Sequence, residues 1–234
     1  MKFPHPRLNR QFLSENVVKG IFSVFGGFGV GKTTFALQTA LNSIKEGQDA
    51  LFFYSKPNLP VQKFKDIFRG VRNELSQDTL DSFKLITVKE FGELLGISFN
   101  LEFLYLNKSE GFDDRKMLVI IDSITDLYRL KLNPKNKKHN VNLNHRLNQI
   151  LANLHHLNQK YNIEILLVNE LSKDKEGKPV LSGGKVMNYW VSYALQLQRT
   201  DVLNKRNALL SIPATDSVIS FELTLTKNGF QFIP

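Results

Sequence analysis

Short runs of consecutive apolar residues punctuate this chain, separated by longer stretches in which apolar residues recur every three or four positions. A short unbroken apolar run reads as a strand buried on both faces, and the three-to-four spacing reads as a helix with one buried stripe. The runs at 21–25, 50–54, 117–121 and 163–168 are therefore predicted buried strands, and 83–88 also reads as a strand. Between them, 32–45 consists of good helix formers and stops at Gly47, a residue suited to ending helices. Phe64, Ile67, Phe68, Val71 and Leu75 share a helical face, and 91–106 reads as mostly helix, broken near Gly96. A further helix is predicted over 143–161, and the end of the chain reads as short strands at 193–199, 207–212 and 219–226, with a late turn at Gly229. This order predicts an α/β fold: a mainly parallel sheet flanked by helices, extended by antiparallel strands at its C-terminal end. Residues 1–19 read as an irregular arm, 129–146 as a solvated loop leading into the helix that follows, and 171–184 as a long polar loop. No internal repeat is visible, and all 234 residues are expected to form a single domain.

The first strand runs directly into glycines and then into a helix. Gly26, four residues, then Gly31, Lys32 and Thr33 match the phosphate-binding loop of nucleotide-binding proteins. Glycines are needed there because the backbone wraps an anion with its N–H groups pointing inward, and side chains would block the approach. Gly26, Gly27, Phe28, Gly29, Val30, Gly31, Lys32, Thr33 and Thr34 are the expected phosphate-binding residues. Lys32 reaches the terminal phosphates, and the Thr33 hydroxyl at the helix start is placed to ligate Mg²⁺. A second candidate stands at Asp122, where the apolar run MLVII ends in a carboxylate. The C-terminal edge of an open α/β sheet is where such folds bind ligands, so Asp122 is the expected Mg²⁺-organising carboxylate. The bland alternative makes Asp122 or Ser123 the cap of the next helix. ATP and Mg²⁺ are the cofactors this implies.

Composition narrows the partners. A formal net charge of +9, with a sequence pI near 9.6, favours a polyanion, nucleic acid before membrane. The stretch RLKLNPKNKKHNVNLNHR at 129–146 contains no acidic residue, and Lys131, Lys135, Lys137, Lys138 and His139 are suited to tracking a phosphate backbone. A charge run of this kind is more often a solvated face. The chain has no cysteine, which removes disulfides, thiolate zinc sites and cysteine nucleophiles together. No apolar run is long enough to span a bilayer and the first residues lack a secretory pattern, so a cytoplasmic location is expected.

GGFGVGKTTFALQTA and LVIIDSITDLYR together resemble the RecA-like recombinase core, most closely the archaeal RadB/RadA paralog family. The resemblance runs from about 20 to 199 and is weaker at GGKVMNYWVSYALQLQR. It implies a DNA-binding ATPase of homologous recombination and DNA repair, acting as a paralog or mediator, with single-stranded DNA and a recombinase or other repair protein as partners. It also implies that the segments around 129–146 and 171–184 are DNA-binding loops. Arg129, Lys131, Lys135, Lys137, Lys138, Arg146, Lys173, Lys175 and Lys178 are then the DNA-contacting residues, and Lys63 stands where the family places an arginine against the adenine.

Two departures bear on turnover. Where the family's second core strand ends in a water-activating glutamate, this chain has Lys56, and a protonated amine cannot act as a general base. Where the family has a glutamine after a later core strand, this chain has Glu170. By the resemblance, Glu170 faces the γ-phosphate and is the nominated substitute base, Lys32 is the other expected catalytic residue, and weak ATP hydrolysis is expected. The competing reading is a nucleotide-dependent structural switch or scaffold on the same fold, of the archaeal motility type, with no DNA. A kinase-type transferase would need an acceptor site that the sequence does not reveal. The resemblance carries no N-terminal DNA-binding domain and no clear oligomerisation motif.

Overall fold

The computed structural model describes residues 1–12, 18–71, 75–109, 116–161 and 163–231. Its sheet contains β1 (Ile21–Gly26), β2 (Asp49–Tyr54), β3 (Phe83–Thr87), β4 (Met117–Asp122), β5 (Ile163–Lys173), β7 (Val191–Arg199), β8 (Lys205–Ile212), β9 (Ser217–Thr226) and β10 (Gly229–Gln231), with β6 (Pro179–Leu181) paired onto the end of β5. The strand order is β10-β9-β8-β7-β1-β5-β4-β2-β3. From β7 to β3 every neighbour is parallel, and β8, β9 and β10 add antiparallel strands at one edge. This is the α/β architecture expected from the sequence.

The apolar runs make sense as strands covered on both sides. In β1, Phe22 and Val24 face one core and Ile21 and Phe25 the other, and in β5 Leu166 and Val168 oppose Ile165 and Leu167 in the same way. One core is closed by α2 (Lys32–Lys45), through Phe35, Leu37 and Leu41, and by α3 (Val61–Val71), through Phe64 and Ile67. The other is closed by α5 (Phe91–Ser109), through Phe91, Leu94 and Leu101, and by α7 (Lys137–Lys160), through Leu147, Ile150, Leu151 and Leu154. A short helix α4 (Gln77–Asp81), capped by Ser76, leads into β3.

Several expectations need correction. The N-terminal arm is not irregular: α1 (Pro6–Gln11) starts with proline at its first position and His5 as its cap, and Phe3, Leu8 and Phe12 are buried in the first core. Phe3 packs on Phe22 with ring centroids 4.6 Å apart. Residues 13–17 of that arm lie outside the described residues. Helix α5 runs through Gly96 without a break, because the glycine faces open space and the apolar stripe on either side holds the helix together. α3 ends at Val71, and residues 72–74, which would carry it on to Leu75, lie outside the described residues.

The two presumed loops are also structured. Residues 129–146 comprise the end of α6 (Asp126–Lys131), a short link and the start of α7. Asn136 caps α7 by accepting from His139 N at 2.9 Å, and Asn140 pairs with the backbone of Asn133 in both directions. Asparagines read as loop composition are therefore helix-start devices. Residues 171–184 form a hairpin, β5 turning into β6, and then the start of α8 (Gly184–Trp190). Asp174 closes the hairpin by accepting from the backbone N–H groups of Glu176 and Lys178 at 2.9 and 2.8 Å, and Gly177 takes a positive φ of 81°.

Candidate nucleotide site

The C-terminal ends of β1, β2, β4 and β5 lie side by side, and each delivers one functional group. Gly26 at the end of β1 pairs with Glu170, and Tyr54 at the end of β2 pairs with Asp122 at the end of β4. After β1 the chain makes the glycine-rich turn. A Cβ on Gly26 would sit 2.3 Å from the Leu197 carbonyl oxygen of β7, so a side chain there would push the loop off the sheet. Gly31 caps α2 with φ 105°, and a Cβ on it would meet the Phe230 ring at 2.6 Å. No side chain caps the first turn of α2, so its N–H groups remain available to an anion. Val30 and Thr34 are buried, and Phe28 is 95% exposed at the loop's tip, its carbonyl accepting from Arg199 Nη2 at 3.2 Å.

Lys32 is folded into its own loop. Its Nζ donates to the carbonyls of Gly26 and Gly27 at 2.9 and 3.0 Å and to Glu170 Oε2 at 2.9 Å. Glu170 also receives Lys56, whose Nζ lies 3.3 Å from Oε1 and 3.2 Å from Asp122 Oδ1. Lys32, Glu170, Lys56 and Asp122 thus form a chain of alternating charge across four strand ends. Asp122 has no solvent exposure, and burial raises its carboxyl above the ordinary range against the opposing pull of Lys56, Thr33 and Lys32. Neither Asp122 oxygen receives a well-aligned hydrogen bond, which leaves a buried carboxylate able to accept a cation. For Lys56, burial works against the charge, but Asp122, Glu170 and Asp126 together outweigh it and raise the ammonium above its usual range.

The cluster is braced from behind by residues that the sequence did not single out. Ser55 N donates to the Asp122 carbonyl at 2.7 Å, and the Ser55 hydroxyl donates to the Ser123 carbonyl at 2.7 Å. This fixes Lys56, the next residue, beside Asp122. Buried Asn169 accepts from the Thr125 hydroxyl and from Glu170 N, and donates to the Ser182 carbonyl at 2.9 Å. It therefore joins the turn after β4, the base of the hairpin and the strand that carries Glu170. The only sequence cue for Ser55 and Asn169 is a polar residue at the end of an apolar run.

Among the expected site residues, the structure brings Gly26–Thr34, Asp122 and Glu170 together, and Lys56, read from the sequence as a departure, joins them. Lys63 lies on α3, with Asp66 as its charged neighbour, and burial lowers its ammonium. Arg129 and Lys131 are exposed on α6, Lys135 in the link, Lys137, Lys138 and Arg146 on α7, and Lys173, Lys175 and Lys178 on the hairpin. Lys178 is paired with Glu176 at 2.8 Å, both highly exposed. Among the described residues no group of three His, Asp or Glu side chains is arranged to hold a metal, and no helix is long and apolar enough to cross a membrane.

The sequence model of the Rad51 family matches residues 96–213, half of the chain. The chain belongs to the Rad51 family. The matched Rad51 segment takes in Asp122, both basic elements and Glu170, and begins after the glycine-rich loop. Among curated proteins, the chain is 28% identical over 224 residues to the DNA repair and recombination protein RadB of Methanococcus maripaludis strain C7, covering 95% of this chain and 97% of the relative. It is 27% identical to the RadB of Methanosphaera stadtmanae over 91% of this chain and 89% of the relative. The Methanocaldococcus jannaschii RadB is 24% identical, with 96% and 99% covered. Rad51-family membership and full-length similarity to RadB agree with the RecA-like fold.

Proposed function

We propose that this protein is a RecA-like ATPase that binds ATP with Mg²⁺ and single-stranded DNA and acts in homologous recombination and DNA repair as a recombinase paralog or mediator. The observation that carries the nucleotide reading is the position of Lys32. It sits inside a glycine loop at the end of β1, in one charge cluster with Asp122 and Glu170 at the carboxyl edge of a parallel sheet. A triphosphate entering the loop would exchange its oxygens for the carbonyls and carboxylate that Lys32 now contacts. Thr33 and the buried Asp122 carboxylate are the residues that would hold Mg²⁺, which would supply charge neutralisation to the phosphates when bound. The relatives' shared description as DNA repair and recombination proteins supports the DNA reading over a structural switch without DNA. In this reading residues 1–234 act as a single domain, which the packing of both cores on one sheet supports.

Glu170 links the nucleotide to the hairpin. Its carbonyl accepts from Ser182 N at 3.0 Å, and its neighbour Asn169 holds both the hairpin base and Thr125. Releasing Lys32 from Glu170 would thus alter the support of the Lys173, Lys175 and Lys178 turn and of α6 together, coupling nucleotide to DNA affinity. Hydrolysis is slow, since Lys56 occupies the position of the water-activating glutamate. Thermal unfolding tests the foundation. Ligand at 100 times its Kd adds about 2.7 kcal/mol to the folded state, so Mg²⁺·ATP raises the Tm of the wild type and leaves Lys32→Ala unmoved. An unchanged wild-type Tm at saturating ATP would remove the nucleotide reading.

A further inference from the structure

Lys56 is held as firmly as a functional group, in a place where the proposed reaction assigns it nothing to do. Ser55 clamps the backbone on one side of it to Asp122 and Ser123, so the ammonium does not ride on a free loop. The side chain is 23% exposed, and its Nζ lies 3.2 Å from Asp122 Oδ1 and 3.3 Å from Glu170 Oε1. Asp122 is the buried carboxylate to which a divalent cation would be drawn. Any such ion must therefore share Asp122 with a cation that is already there and cannot diffuse away. An ammonium carries three N–H donors, so two carboxylate partners leave one for a phosphate oxygen. As a compact charge on a flexible stem, lysine suits a phosphate well.

We propose that Lys56 is a tethered cation that takes over part of the work of the divalent ion, so that this site binds nucleoside triphosphate with little dependence on divalent metal. The proposal rests on the nucleotide reading above and sharpens it. With a neutral or acidic residue at this position, Asp122 and Glu170 would repel the incoming phosphates unless a soluble cation screened them. With Lys56 in place, two ammonium groups already offset most of the charge of the three carboxylates that act there, Asp122, Glu170 and Asp126. Added metal then contributes little, because Lys56 weakens the attraction of Asp122 for it by partial neutralisation.

Equilibrium binding of a fluorescent ATP analogue, in Mg²⁺ and in excess EDTA, tests this on the full chain and on two variants. Wild type should keep its Kd within about fivefold between the two conditions. A charge-assisted hydrogen bond is worth about 1.5–3 kcal/mol, or roughly 10- to 100-fold in affinity. Lys56→Gln should therefore weaken at least about tenfold on passing from Mg²⁺ to EDTA. Lys56→Arg, which keeps the charge, should behave as wild type. If wild type weakens in EDTA as much as Lys56→Gln does, or if Lys56→Gln stays indifferent to EDTA, the tethered-cation role is wrong while the nucleotide site stands. Absence of binding by wild type even in Mg²⁺ would overturn the nucleotide reading and this proposal with it.

Discussion

Glu170 lies between two ammonium groups, 2.9 Å from Lys32 and 3.3 Å from Lys56, and this position serves two different roles. As a base it would orient the attacking water once the triphosphate has drawn the lysines away. As a clamp it would only hold them until nucleotide arrives. Glu170→Gln keeps the shape and removes the charge, so both roles predict normal ATP binding, but only the base predicts a loss of turnover. General-base assistance is worth about 10² to 10⁴ in rate, and single-turnover hydrolysis should fall by that order in Glu170→Gln. Lys56→Glu, which restores a carboxylate at the end of β2, should raise the rate. Equal rates for wild type and Glu170→Gln would leave a clamp. His5 provides a residue-scale prediction about stability. It is buried against the Phe221 ring, and its Nδ1 accepts from Arg7 N at 3.1 Å, which requires an unprotonated nitrogen. Burial first, then Arg7 and Arg10, pull its pKa from 6.5 down to about 4. Between those values the unfolded chain binds a proton that the folded chain refuses, so stability falls as pH drops through that window. His5→Asn keeps a capping acceptor without the titration, and its urea midpoint should decline less between pH 6.5 and 4 than that of wild type.

Elements were legible in the sequence to the extent that their cause is local. The glycine loop, α2 and the buried strands are specified by residues within one window, and they appear where the pattern puts them. The hairpin after β5 and the early start of α7 escaped the pattern because each rests on side-chain to backbone hydrogen bonds from Asp174, Asn136 and Asn140, residue types equally at home in loops. The meeting of Lys56, Asp122 and Glu170 was invisible to periodicity, since it depends on the order in which β2, β4 and β5 pair, and it entered only through the resemblance. Gly96 shows the opposite error, a local rule overridden by burial elsewhere on the same helix. A Cβ there would meet nothing within 4 Å. Gly96→Ala should therefore stabilise the protein by about 0.5–1 kcal/mol, through a less flexible unfolded chain and a better helix former. Chemical denaturation reads this directly, and a destabilised variant would show that the helix needs the glycine.

At the scale of the whole molecule, both basic elements arise from the edge of the sheet that carries the nucleotide cluster. A Cβ on Gly183, at the foot of the hairpin, would approach Leu147 of α7 and Thr125 before α6 at 3.4 and 3.5 Å, so these elements converge at one place. The cations there are exposed, and Lys137 and Lys138 stand in the first turn of α7, which has no acidic residue. A helix N-terminus already carries partial positive charge, so placing lysines there costs the fold a few tenths of a kcal/mol apiece. That arrangement concentrates positive potential on one edge and suits a polyanion. It also gives a contrast of signs: exchanging Lys137 and Lys138 for glutamate should leave the fold slightly more stable while weakening DNA binding. The contacts proposed are lysines reaching phosphates, so binding to single-stranded DNA should be salt-sensitive and nearly independent of sequence. For single strands each phosphate contact contributes about 0.7 to the slope of log affinity against log salt concentration. Replacing Lys135, Lys137 and Lys138 together by alanine should flatten that slope by about 2, with the Tm response to ATP retained. If the triple variant binds with the wild-type slope, the lysines are a solvated face and the DNA path lies elsewhere on the molecule.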